Sequence, residues 1–348
     1  MKPAKLLCVL TASLLMAGAL AGCGAESAPA TPGEHEVSFR TEDSSLAGTL
    51  IIPEGEGPFP AVIILPGSGP FDRDGDLDAR VAMMQMASFQ PVMKANSTYR
   101  DIAEALSAAG IVTLRYDKRG VGDSTGDDGD FPEPSLRDLK AAVALLEDNP
   151  SVDPGRIGLV GHSLGGLWAL MEAAENPDIA AVCLMATPAK PMGEVIIEQI
   201  EGLMKLQGAN ETSIAALIEL QESIYTGLRL EEDGTGNQTG VSGHDLRFLA
   251  AIMDVAGADY ARDVECPALI LQGDKDLFTV IPEEAELLRE AFMEGGNEDV
   301  ELILFSDLDH LFRPTPGQPS VDLYYEDRGP IAPEVVEAIV YRMQATLQ

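Results

Sequence analysis

The chain has 348 residues, enough for one core of about 250 residues with an insertion and too few for two large domains. Its 23 basic and 57 acidic residues give a formal charge of −34, which excludes nucleic acid and disfavours anionic headgroups while leaving neutral or cationic ligands open. The 4 cysteines and 4 histidines show no zinc-ligand spacing, so no metal or other cofactor is called for.

Lys2 and Lys5 precede an apolar stretch, Leu6 to Leu20, that is too short for a spanning helix and is followed at once by Gly, Pro and Ser. Residues 1–22 therefore read as a signal peptide. Its end, Leu20-Ala21-Gly22-Cys23, resembles the lipobox of bacterial lipoproteins, which implies cleavage before Cys23, lipid on that thiol and an extracytoplasmic protein anchored to the bacterial cell membrane. Residues 23–35, rich in Ser, Pro and Thr, follow as a tether, and His35 falls within it. Without the signal the chain keeps 21 basic against 57 acidic residues, near −36.

Glu36 to Thr41 and Leu46 to Ile52 alternate apolar and polar residues around Glu42-Asp43-Ser44-Ser45, predicting an antiparallel hairpin at a sheet edge. Ala61 to Leu65 is instead a continuous apolar run, as a strand covered on both faces requires, and ends in Pro66-Gly67-Ser68-Gly69-Pro70. Phe71 to Asn96 is a long connection carrying Asp72-Arg73-Asp74-Gly75 and the methionines Met83, Met84, Met86 and Met93. Its length suits the mouth of a site, while the methionines suit plain packing. Tyr99 to Ala109 predicts an amphipathic helix with Ile102, Ala105, Leu106 and Ala109 inward, and Ile111 to Tyr116 is the next buried strand. The Gly-rich turn from Asp117 to Ser124 lacks both the Lys-Ser/Thr ending of a P-loop and the spacing of a dinucleotide fingerprint, which rejects phosphate binding. Leu136, Leu139, Val143 and Leu146 share one face of a helix closed by Asn149-Pro150.

Ile157 to Val160 then reads as strand, Gly161-His162-Ser163-Leu164-Gly165-Gly166 as a sharp turn, and Leu164 to Ala174 as helix. A serine at such a turn is lifted clear of the sheet, with Gly161 and Gly165 removing side chains that would clash and Gly166 letting the helix pack closely. The helix N-terminus favours negative charge beside Ser163, and the Leu164 N–H is a candidate oxyanion donor. Ile179 to Ala186 is a further strand. Residues 190–262 hold helices and no convincing strand, which predicts an inserted helical cap over the carboxyl ends of the strands. In it Glu194, Glu198, Glu201 and Lys205 share one face and Ile196, Ile200 and Leu203 another. Ala268 to Gln272, Pro282 to Phe292, Val300 to Phe305 and Pro333 to Leu347 resume the alternation of strand and helix, so residues 36–189 and 263–348 form an α/β core around a mostly parallel sheet. Cys183 and Cys266 lie in apolar runs and are expected as free thiols in the core rather than a disulfide.

A serine nucleophile needs a base, and the base needs an acid to fix its tautomer. His35 lies in the tether, His244 in a cap loop, and His162 on the elbow strand pointing away from Ser163 by strand alternation; His310, just after the last strand, remains. Gln272-Gly273-Asp274-Lys275-Asp276 offers two carboxylates, and spacing does not choose between them.

The loops Pro66-Gly67-Ser68-Gly69-Pro70 with Asp72-Arg73-Asp74-Gly75, Arg115-Tyr116-Asp117-Lys118-Arg119-Gly120, Gly161-His162-Ser163-Leu164-Gly165-Gly166 and Asp309-His310-Leu311-Phe312 together resemble bacterial capped carboxylesterases of the α/β-hydrolase superfamily, near its serine aminopeptidase branch. The resemblance implies an α/β-hydrolase fold with a triad of Ser163, Asp276 and His310, and an oxyanion hole from the Ser68 and Leu164 N–H groups. It further implies hydrolysis of small, neutral, short-acyl esters through an acyl-enzyme. A peptidase or amidase using the same triad is the alternative, and a non-catalytic surface binding protein is a third reading that the intact motifs oppose.

Overall fold

The computed structural model describes residues 30–78, 97–127, 129–232, 243–277 and 279–348. The signal peptide, Cys23 and the methionines of the long connection lie outside the described residues. β1 (Gly33–Arg40) and β2 (Ser45–Ile52) form the expected hairpin, followed by β3 (Phe59–Leu65), α1 (Thr98–Ala108), β4 (Val112–Tyr116) and α2 (Pro132–Glu147). Then come β5 (Val152–His162), α3 (Leu164–Glu175), β6 (Ile179–Met185) and the helices α4 (Met192–Leu206), α5 (Glu211–Glu232), α6 (Gly243–Ile252) and α7 (Gly257–Ala261). β7 (Ala268–Gly273), α8 (Glu283–Glu294), β8 (Val300–Phe305) and α9 (Pro333–Leu347) complete the chain.

The strands make one eight-stranded sheet in the order β1-β2-β4-β3-β5-β6-β7-β8. β1 and β2 run antiparallel at one edge, and from β4 onward every pairing is parallel. Alternation within the central strands builds two cores. Ala61, Ile63, Leu65, Leu159, Val182, Leu184 and Ile270 face α2, α3 and α8, while Val62, Ile64, Val160, Cys183, Met185 and Leu271 face α1 and α9. Cutting one such side chain to alanine, as in Ile63→Ala, costs about 2–5 kcal/mol, because the site is fully buried and cannot collapse. Cys183 is buried in β6 and Cys266 is partly exposed ahead of β7; both are free.

Two boundaries differ from the sequence reading. β1 begins at Gly33, pairing Gly33, Glu34 and His35 with Ile52, Ile51 and Leu50, so the tether ends before residue 33 and His35 is a strand residue. These residues are polar because both faces of an edge strand's end meet water, which hides the strand from an alternation test. The cap is also shorter at its far end than residue 262: Ala256 bridges Pro191 at its base, and α7 beyond packs on α3 and α8 with Ala261 in the main core. Within the cap, Val195 rather than Ile196, Ile200 or Leu203 is the buried apolar residue of α4. Ile197 joins Tyr225, Leu228 and Met253 in a small core of the cap's own. Apolar residues surround α4, because one side builds that core while the other stays half-exposed, and so the sequence stripe did not identify the inward face.

Candidate active site

β5 ends at His162 and α3 begins at Leu164, leaving Ser163 alone at the turn with φ 53° and ψ −119°. A left-handed conformation at a residue with a Cβ stores strain, which the surrounding structure must hold in place. Part of that hold is the Ser163 N–H, which donates to Met185 O at 2.7 Å. The rest is close packing: a Cβ on Gly161 would strike the backbone of Gly165 and Gly166, and one on Gly165 would strike the carbonyls of Leu65 and Pro66. Gly166 lies against Thr187, just past β6, so the helix closes on the neighbouring strand's exit as well. Ser163 itself is 9% exposed. Among the described residues the Leu164 N–H has no partner, as expected at the first turn of a helix.

The loop after β8 carries His310, whose Nδ1 lies 2.6 Å from Asp276 Oδ2. Asp276, in the loop after β7 and 1% exposed, also accepts on Oδ1 from the N–H groups of Thr279 at 3.2 Å and Val280 at 3.1 Å. Gln272 Nε2 approaches its Oδ2 at 3.4 Å. Asp274 turns elsewhere, accepting the Asp307 N–H at 2.7 Å. Asp309 braces the His310 loop from beneath: its Oδ1 accepts the Leu311 and Arg313 N–H groups, and its Oδ2 pairs with Arg328 at 2.7 Å.

The loop after β3 lies on the other side of the elbow. Buried Lys118 donates from Nζ to Gly67 O at 2.8 Å and Gly69 O at 2.7 Å, and also to Asp130, whose other oxygen accepts the Gly69 N–H at 3.0 Å. In a trans peptide the C=O and N–H point opposite ways, so drawing the Gly67 carbonyl toward Lys118 turns the Ser68 N–H away from it. The Ser68 N–H is without a partner among the described residues, although its neighbours at Gly67 and Gly69 are both engaged.

Three residues of this region escaped the sequence reading. Lys118 lies in the Gly-rich turn from Asp117 to Ser124 and Asp130 follows it, and neither carries a motif that marks its role at the site. His162 is not remote from the site: its ring lies 4.7 Å from the His310 ring, its Nε2 is 2.9 Å from His310 O, and its Nδ1 is 3.0 Å from the Tyr99 hydroxyl. Burial, and then the neighbouring His310, push the His162 pKa down to about 3. Strand parity carries the signal that could have found this pair, since His162 shares the Val160 face, on which the first turn of α1 packs with Tyr99.

The cap is tied down close by. Gln199 on α4 donates to Thr279 O at 2.8 Å, in the Asp276 loop. Lys190, at the cap's stem, pairs with Glu284 of α8 and with Glu198 of α4, and Glu201 pairs with Lys205. Phe131 meets Phe248 of α6 edge to face at 5.6 Å. Among the described residues no group of three His, Cys, Asp or Glu side chains is arranged to hold a metal ion.

Residues 93–312 match the protein family described as serine aminopeptidase, S33. The chain is 28% identical over 306 residues to the esterase EstD of Thermotoga maritima, covering 87% of this chain and 67% of that one. In fold it is similar to an esterase of Pyrococcus furiosus, with a TM-score of 0.56 at 19% identity over 90% of this chain and 91% of the other. An α/β hydrolase from a Penicillium species superposes with a TM-score of 0.57 at 21% identity, covering 90% of this chain and 99% of that one.

Proposed function

The chain belongs to the serine aminopeptidase, S33, family of α/β hydrolases, and we propose that within it the protein is a serine carboxylesterase acting on small neutral esters. The observation that carries this reading is the 2.6 Å contact between His310 Nδ1 and Asp276 Oδ2, made by a ring packed against the residue next to Ser163. With Nδ1–H donated to the carboxylate, Nε2 of the neutral ring is the free acceptor. Ser163 Oγ attacks the ester carbonyl and passes its proton to His310 Nε2, while Asp276 stabilises the imidazolium. The Ser68 and Leu164 N–H groups hold the oxyanion, because among the described residues both are without other partners and one stands at a helix N-terminus. Collapse of the intermediate expels the alcohol, which takes the proton from His310, and water then hydrolyses the acyl-serine by the same route in reverse.

Two features support an ester over a peptide. The relative EstD is named an esterase. An aminopeptidase would need a fixed carboxylate for the substrate's terminal amine, and of the acids on α4 Glu198 and Glu201 are already paired with lysines while Glu194 is exposed. The family's own description favours the second reading, a peptidase using the same three side chains.

Both readings are tested together with p-nitrophenyl acetate, butyrate and decanoate beside aminoacyl p-nitroanilides. The expected result is the highest kcat/KM for a short ester, and an anilide ahead of every ester would replace the esterase by the peptidase. Ser163→Ala should lower ester turnover by about 10⁴-fold or more and abolish fluorophosphonate labelling with an unchanged melting temperature. Labelling at the wild-type rate would remove Ser163 from the reaction. Lipid attachment at Cys23 and an extracytoplasmic, membrane-anchored location belong to the same proposal and rest on the Leu20-Ala21-Gly22-Cys23 pattern.

A further inference from the structure

The partners of His162 impose a direction on its hydrogen bonds. His310 O can only accept, so His162 Nε2, 2.9 Å away, carries the ring proton. The ring is buried and held neutral with its pKa pushed down to about 3, so Nδ1 is bare and must accept. The Tyr99 hydroxyl, 3.0 Å from Nδ1, therefore donates to it and receives the Gly67 N–H at 3.0 Å on its oxygen. One directed chain results, from the Gly67 N–H through the Tyr99 hydroxyl and the His162 ring to the carbonyl of His310.

Its two ends are the two sides of the site. Gly67 is joined to the peptide that presents the Ser68 N–H, and His310 is the proposed base, whose ring lies at 44° to that of His162. Tyr99 and His162 each make one bond as donor and one as acceptor, and at 5% and 6% exposure a lost link leaves a buried group unsatisfied instead of exchanging it for water. We infer that Tyr99 and His162 are positioning residues that set the oxyanion loop and the base as one unit, so that donor and proton acceptor keep their separation while charge develops between them. The inference rests on the triad of Ser163, His310 and Asp276 proposed above.

The test uses Tyr99→Phe, which removes only the hydroxyl, and His162→Phe, which replaces both ring nitrogens by a somewhat larger apolar ring, alone and combined, in the full-length protein. Each single variant should lower kcat for p-nitrophenyl butyrate by about 10- to 100-fold, with KM within about threefold of wild type and the folded fraction unchanged. Since the two act as a unit, the double variant should lie within about threefold of the worse single variant. Wild-type kcat in Tyr99→Phe, or losses that multiply in the double variant, would overturn the inference. Ser163→Ala separates the two claims: if it is inactive while Tyr99→Phe is unimpaired, only the positioning chain falls, and if it remains active the triad reading falls first.

Discussion

Lys118 is a cation drawn into the protein to hold two carbonyl groups and one carboxylate, and its effect on the site passes through a single peptide plane. Lys118→Met fills the same space but frees the Gly67 carbonyl, so the Gly67–Ser68 peptide is no longer turned one way. Turnover should drop by about 10²-fold with KM nearly unchanged, which steady-state kinetics on p-nitrophenyl butyrate checks. His162 makes a second prediction, about stability. Its folded pKa lies below the unfolded value, so its contribution is intact above the ordinary imidazole pKa near 6.5 and is lost as pH falls toward 3, where the unfolded chain binds a proton that the native chain refuses. The groups facing it are Tyr99 from α1 and His310 from the β8–α9 loop. Between pH 7 and pH 5 this amounts to about 2 kcal/mol. Chemical denaturation at the two pH values should therefore show a smaller loss in His162→Phe than in wild type, and equal losses would contradict it. Asp72, Asp117, Asp138 and Glu172, raised mainly by burial, act in the opposite sense and do so equally in both proteins. At this scale Ser163 and His310 were legible, because the turn glycines and the chain order mark them. The choice of Asp276 over Asp274 came from the family resemblance and not from spacing, since both stand in one short loop and only the direction each side chain takes separates them. Lys118 stood in a recognised motif, but its role did not show, as the carbonyls it holds come from the loop after β3, far from it in sequence.

Among the elements, the core strands and the elbow helix were readable from continuous apolar runs, which a sheet covered on both faces requires. The cap was readable as helical, though the face α4 turns inward was not, for its apolar residues serve two surroundings. What holds that helix to the core is a polar knot that no periodicity announces. Glu284, fully buried in the first turn of α8, accepts the Ala189 N–H at 2.7 Å and the Lys190 N–H at 2.9 Å and pairs with the Lys190 ammonium. Glu284→Gln keeps the shape and one acceptor and removes the charge opposite Lys190. It should cost about 1–3 kcal/mol and speed amide hydrogen exchange in α4 more than in β5, read by exchange mass spectrometry. Equal acceleration in both segments would mean that the knot supports the whole fold and has no particular hold on the cap.

For the whole molecule the acidic balance and the proposed anchor pull in different directions. A chain near −34 is repelled by anionic lipid surfaces, and among the described residues no helix is long and apolar enough to cross a membrane. Under the anchor proposal, retention at a membrane rests on lipid at Cys23. Cys23→Ser should leave the protein in the soluble fraction after lysis and ultracentrifugation, while the unaltered chain pellets and is released only by detergent. A variant that still pellets would end the anchor proposal.

The pairing at the cap's base has a consequence for redesign. Pro191 bridges Ala256, the Met192 N–H donates to Val255 O at 3.0 Å and the Gly193 N–H to Met253 O at 2.8 Å, so the chain departs from the sheet and returns to it at one spot. To the strands on either side, everything between those residues is equivalent to a tight turn. The residues proposed to react, Ser163, Asp276 and His310, all lie outside that segment, which touches their surroundings through Gln199 and Phe248. A chimera carrying another hydrolase's segment between Pro191 and Ala256 is therefore the natural starting point for retargeting this protein.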